Sequence, residues 1–174
     1  TEQAMPTKKV RKGFLITCAA LLFISVGTNA ELASSIEDVS ADSDALEAFK
    51  LATRAKYDMK EAAFRANDVE PIINNFYSER VISVDSEGAV HLGRAGIRPV
   101  YEQVIGSLVA IESYQSFVNG NAGWDWVNFH VSFPPEAAMD PFSFKMLFLW
   151  ENMEGEWWSH GEMYVPGAFD IPSK

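Results

Sequence analysis

Between Asp44 and Ala66 the chain carries neither glycine nor proline, and Leu46, Phe49, Ala52, Ala55, Met59, Ala62 and Ala63 recur at helical spacing. Ser43 or Asp44 can cap this helix, with Glu47 in its first turn. Asn67-Asp68 breaks the run, and Asp68 can cap a second, shorter helix in which Val69, Ile72, Ile73 and Phe76 share a face. Val81 to Val84 is a short β-branched run, Asp85-Ser86-Glu87-Gly88 a turn, and Ala89 to Leu92 a second strand. Gly93-Arg94-Ala95-Gly96 leads into a third helix with Ile97, Val100, Tyr101, Val104 and Ile105 as its apolar face, and Gly106 stops it. Four more strands are predicted, roughly 109–118, 124–133, 142–151 and 156–165, separated by Asn119-Gly120-Asn121, Pro134-Pro135 and Glu154-Gly155. Two helices, two strands, a helix and a four-strand meander define an α+β fold, with three helices on one face of a curved antiparallel sheet.

The segment before these elements has a different character. Lys8-Lys9-Val10-Arg11-Lys12 is basic, Phe14 to Val26 is mainly apolar, and Gly27-Thr28-Asn29-Ala30 places small residues before a cut after Ala30. That is the three-part pattern of a secretory signal peptide, with Met5 as the start. The apolar run would span only about 20 Å as a helix, too short for a permanent anchor. Residues 31–43 are small and polar and read as a linker, which leaves 44–170 as one domain. The expected destination is the periplasm or the cell exterior. Cys18, the only cysteine, lies in the signal segment, so thiol nucleophiles and thiolate metal sites are excluded from the mature chain. Beyond Ala30, ten basic and 23 acidic residues remain, a formal charge of −13 that repels nucleic-acid backbones.

Several short motifs in this order resemble the nuclear transport factor 2-like superfamily, which includes ketosteroid isomerases and SnoaL-like cyclases. They are Ala66-Asn67-Asp68, Phe76-Tyr77-Ser78-Glu79-Arg80-Val81, Gly93-Arg94-Ala95-Gly96-Ile97, Val131-Ser132-Phe133 and Glu154-Gly155-Glu156-Trp157. The resemblance covers about residues 44–166 and implies a cone-shaped, bent sheet closed by three helices around an apolar pocket. It also implies dimerisation through the sheet in many members. The isomerase positions do not carry over. Lys60 stands where those enzymes place a tyrosine, Leu147 where they place a protonated aspartate, and Val84 or Asp85 at the position of the base. Without both oxyanion donors, isomerase chemistry of that type is disfavoured.

Alternation along strands sets the remaining expectations. Val127, Phe129, Val131 and Phe133 share a face, which the family register turns inward, leaving His130 outside. Trp158, His160, Glu162 and Tyr164 share a face that an even-length turn pairs with Lys145, Leu147 and Leu149, again inside the cone. His160 beside Glu162 would make a general acid–base pair, with Asp85 as a further catalytic candidate. Tyr57, Val127, Phe129, Val131, Phe133, Leu147, Leu149, Trp158 and Tyr164 are the candidate ligand wall. The same register puts Phe142, Phe144, Met146, Phe148 and Trp150 on the opposite face, an apolar patch to be covered by a homodimer or by residues 31–43. The spacing of His91, His130 and His160 suits no metal site, and no phosphate loop or nucleophile elbow occurs, so no metal and no cofactor are expected. Three functions are open: an exported binder of a small apolar or aromatic molecule, a cofactor-free lyase, isomerase or hydrolase using His160 and Glu162, or a dimeric scaffold.

Overall fold

The computed structural model describes residues 29–170, with side chains from Asp42 onward. Most of the proposed signal peptide lies outside the described residues. The first helix, α1 (Asn29–Ala66), begins well before Asp44. Residues 31–43, read as a linker, are therefore helical, because nothing from Ala30 to Ala66 is glycine or proline. The helix ends at Asn67, whose left-handed φ of 55° lets Asn67 N–H and Asp68 N–H close on the carbonyls of Phe64 and Ala63. Asp68 caps the turn that follows by accepting from Glu70 N–H at 3.0 Å. A single π-helical turn, Ile72–Phe76, then buries Ile72, Ile73 and Phe76.

Six strands follow: β1 (Tyr77–Val84), β2 (Val90–Leu92), β3 (Leu108–Asn119), β4 (Ala122–Ser132), β5 (Phe142–Met153) and β6 (Glu156–Pro166), with α2 (Gly93–Val104) between β2 and β3. They form one sheet in the order β2-β1-β6-β5-β4-β3. The sheet is mixed and open rather than wholly antiparallel, since β6 lies beside β1 in the same direction. The α2 crossover imposes this: the chain leaves the β1–β2 hairpin, lays down β3 to β5 on the far side, and runs its last strand alongside its first.

The buried stripe of α1 differs from the apolar one. Phe49, Thr53, Tyr57, Lys60, Ala63 and Phe64 are buried, whereas Ala55 and Ala62 are exposed. Bulky rings rather than alanines decide which side faces the sheet, because ring burial removes far more apolar area. The two polar members are satisfied internally, Thr53 by bonding back to the Phe49 carbonyl at 3.0 Å. Phe49 packs edge-on against Trp157 and so close to β4 that a Cβ on Gly123 would fall 2.7 Å from its ring.

The inner face of β5 is Met146, Phe148 and Trp150, and Leu147 and Leu149 face out, the reverse of the expected arrangement. A β-bulge is the reason. Leu149 pairs with Gly161 but Trp150 pairs with Ser159, so His160 is an extra residue in β6. Beyond the bulge the pairing puts Phe148 opposite Glu162 and Met146 opposite Tyr164, on the inner face. The patch expected to need a dimer is thus largely cone core. The outer face of the sheet is partly covered by the chain's own C-terminal segment. Phe169 stacks on Tyr114 at 4.5 Å, and its backbone N–H donates to the side-chain oxygen of the buried Asn128, whose side-chain amide donates back to the Phe169 carbonyl.

Candidate functional site

A pocket of about 490 Å³ opens between α2 and the inner faces of β4, β5 and β6. Phe129, Val131, Phe133, Phe144 and Met146 are in its apolar wall, and Tyr101, Glu162 and Tyr164 are among its polar groups. Tyr101 comes from the inward face of α2, and Glu162 and Tyr164 from β6 beyond the bulge.

Behind Tyr101 and Glu162 lies a buried polar network. Lys60 Nζ, fully buried, donates to the hydroxyls of Tyr77 and Tyr101, both at 2.6 Å. Tyr77 donates in turn to Glu162 Oε2, which also accepts from Tyr101 at 3.4 Å and lies 4.0 Å from Lys60 Nζ. Glu162 Oε1 accepts from Ser83 at 2.8 Å. Around the amine, Phe76, Tyr77, Tyr101, Phe129 and Phe148 present their rings 4.1 to 5.6 Å from Nζ. Burial lowers the Lys60 amine to about 7, against the opposing pull of Glu162. Burial and then Glu162 push the Tyr77 and Tyr101 hydroxyls well above their ordinary range, and the same causes lift Tyr164 to about 12. The phenols therefore stay protonated and act as donors to the carboxylate, while Lys60 can be neutral near pH 7.

The sequence-predicted residues divide. Phe129, Val131, Phe133, Glu162 and Tyr164 line the cavity. Val127 and Tyr57 are buried core beside it, and Tyr57 donates to the buried Asp125 at 2.9 Å. Leu147 and Leu149 face outward, and Leu149 is 48 % exposed. The bulge separates His160 from Glu162. The imidazole lies in a surface cleft of about 670 Å³ with Trp158 and Arg94, its Nδ1 3.1 Å from Ser78 Oγ and 3.5 Å from Glu151. Asp85 is a turn residue: it accepts from the N–H groups of Glu87 and Ala89 and pairs with His91 at 3.0 Å. Hydrogen bonds from His91 and Ala89 hold it below its ordinary value. His130 sits on the outer face against Ser143, as expected. Among the described residues no His, Cys, Asp or Glu group converges as a metal site, and no helix is long and apolar enough to cross a membrane.

Lys60, Tyr77 and Ser83 were not anticipated as site residues, and Tyr101 was read only as helix core. Lysine counts as polar in a periodicity, although Phe49, Thr53, Tyr57, Lys60 and Phe64 follow helical spacing and could have disclosed the stripe. The hydroxyls of this network come from β1, with Tyr77 and Ser83, and from α2, with Tyr101.

No family model and no curated protein matches this chain. Solved structures do. A protein of unknown function from Mycobacterium tuberculosis is 16% identical with a TM-score of 0.63, over 71% of this chain and 75% of that one. A ketosteroid isomerase-like protein from Erwinia carotovora atroseptica is 15% identical with a TM-score of 0.56, over 67% and 94%. An NTF-2 like protein of unknown function from Silicibacter pomeroyi is 14% identical with a TM-score of 0.54, over 70% and 98%. The chain has the nuclear transport factor 2-like fold. Identities this low carry the architecture and leave function to the site itself.

Proposed function

We propose that this protein binds a small, mainly apolar or aromatic molecule inside the cone, with a polar head against Glu162, Tyr101 and Tyr164. The observation that supports the reading is the pocket of about 490 Å³, an apolar wall in which Tyr101 and Glu162 lie within hydrogen-bond reach of each other. Its size falls within the roughly 300–1,000 Å³ of ligand pockets. A scaffold filled by its own side chains would leave no such space. Native mass spectrometry of protein purified from its own host tests the reading. A retained small molecule, lost when Val131→Trp fills the cavity, is expected; no retained molecule and no saturable uptake of 2-naphthol would overturn it.

Cofactor-free catalysis is the second reading, and the buried Tyr101–Glu162 contact favours it, because a carboxylate backed by hydroxyl donors in an apolar wall can move protons. The His160 imidazole, hydrogen-bonded to Ser78 in the surface cleft, is not part of that contact. We also infer export, from Lys8–Lys12, the apolar run and the small residues before Ala30. The exported chain should begin within a few residues of Glu31. Self-association through the outer sheet face is the accompanying proposal, supported by half-exposed Ile82, Leu149, Met163 and Val165. The acidic excess of the chain beyond Ala30 argues against nucleic acid as a partner.

A further inference from the structure

A fully buried primary amine is expensive to keep, and Lys60 is held by hydroxyls and ring faces more than by an opposite charge. A methionine would fill the same aromatic space without the cost, so the position calls for a use of the nitrogen. Two of its neighbours, Tyr101 and Glu162, line the cavity, and so does Phe129, whose ring is 5.6 Å from Nζ. The amine is thus one side chain deep behind the cavity wall, on the polar side of the proposed ligand site.

We propose that Lys60 is a reactive amine and that the cone takes aldehydes or ketones with an apolar body, holding them as imines on Nζ. The proposal rests on the binding reading above and names its ligand class. In the reaction the nitrogen lone pair attacks the carbonyl carbon, a C–N bond forms and the oxygen is protonated to a carbinolamine. The C–O bond then breaks and the oxygen leaves as water, so amine and carbonyl give imine plus one water. The nitrogen gives up two protons and the departing oxygen takes up two. Glu162, 4.0 Å from Nζ, accepts from nitrogen, the Tyr77 hydroxyl, bonded to both Lys60 and Glu162, donates to oxygen, and the Tyr77–Glu162 hydrogen bond passes the proton between them. The neutral amine that burial favours near pH 7 is the nucleophilic form.

Access requires the Tyr101 side chain to swing aside. That residue is two positions after Pro99, which lies inside α2 and cannot donate the helical bond to the carbonyl one turn back. The helix also ends three residues beyond Tyr101, at Val104. The cavity-side cover of the amine is therefore carried on a short helix that lacks one backbone hydrogen bond.

The test is reductive trapping of the full chain with 2-naphthaldehyde and cyanoborohydride, the latter supplying the hydride that converts the imine to a stable secondary amine. Peptide mapping should find the naphthylmethyl group on Lys60, at least about tenfold faster than on the exposed Lys50, since a lower amine pKa leaves more free base. 2-Methoxynaphthalene, which has no carbonyl, should protect Lys60, and its own binding, read by fluorescence, reports the cavity independently. Lys60→Met should abolish the cone adduct; if that variant fails to fold, the protection experiment decides. Binding of 2-methoxynaphthalene with Lys60 unlabelled at saturating aldehyde would overturn the imine and spare the binding reading. Labelling of Lys60 that 2-methoxynaphthalene does not reduce would place the reaction outside the cone and overturn the proposal.

Discussion

At the residue scale, the cone is governed by one amine and one carboxylate in a ring of aromatic side chains. Lys60 falls from an ordinary 10.5 to about 7 in the folded chain. The unfolded chain therefore binds more protons between those values, and stability should rise with pH across that window. The Tyr77 and Tyr101 hydroxyls, shifted upward, add a fall only above about pH 10. Urea midpoints measured from pH 7 to 10 should rise in the wild type and flatten in Lys60→Met. The two residues once paired by alternation should separate cleanly. Glu162→Ala leaves Lys60, Tyr77 and Ser83 facing an uncompensated void and should cost on the order of 3–5 kcal/mol. His160→Ala, at a 40 % exposed side chain, should cost less than about 1 kcal/mol by the same measurement. Nothing in the local sequence marks this difference, since the two residues lie two apart in one strand.

At the element scale, a single bulge decides what the cavity contains. Removing the inserted residue, by deleting His160, would restore simple alternation and force either Glu162 and Tyr164 out of the cone or the preceding Trp157–Ser159 segment out of register. Loss of the cooperative thermal transition in the deletion, with His160→Gly still folding, is the expected pair of results in circular dichroism. Contact between α1 and β4 gives a second case. Gly123→Ala would push a methyl into the Phe49 ring, which also packs edge-on against Trp157, and should cost about 1–3 kcal/mol in chemical denaturation. The helices, strands and turns were legible because their periods and breakers are local. Asn67-Asp68, Gly88 and Gly106 mark real ends. The start of α1 was not, because a helix continues through polar residues until a breaker stops it, and composition alone suggested a linker.

At the scale of the whole molecule, the sheet has two unlike faces. The inner one is the cone. The outer one is crossed by residues 167–170, where Phe169 contacts Tyr114, Trp126 and Lys145. Phe169→Ala should lower stability by about 1–2 kcal/mol and change the fluorescence of the chain through Trp126, without altering uptake of 2-naphthol by the cone. Loss of uptake in that variant would mean that the C-terminal segment supports the cone from behind.

What the sequence by itself determined is what nearest neighbours along the chain control: the element order, the α+β class, the acidic charge, and the inward face of β4 with Val127, Phe129 and Val131. Tertiary structure alone decided the rest. The parallel pairing of β1 with β6 joins residues about eighty positions apart, and no local period encodes it. Placement of Glu162 without His160 in the cone depends on how β6 pairs with β5, since a bulge is a property of two strands. Lys60, Tyr77 and Tyr101 come from a helix, a strand and a second helix, and each side chain is ordinary on its own element. Packing brought them within hydrogen-bond reach, and exclusion of water there is what shifts the amine toward its neutral form.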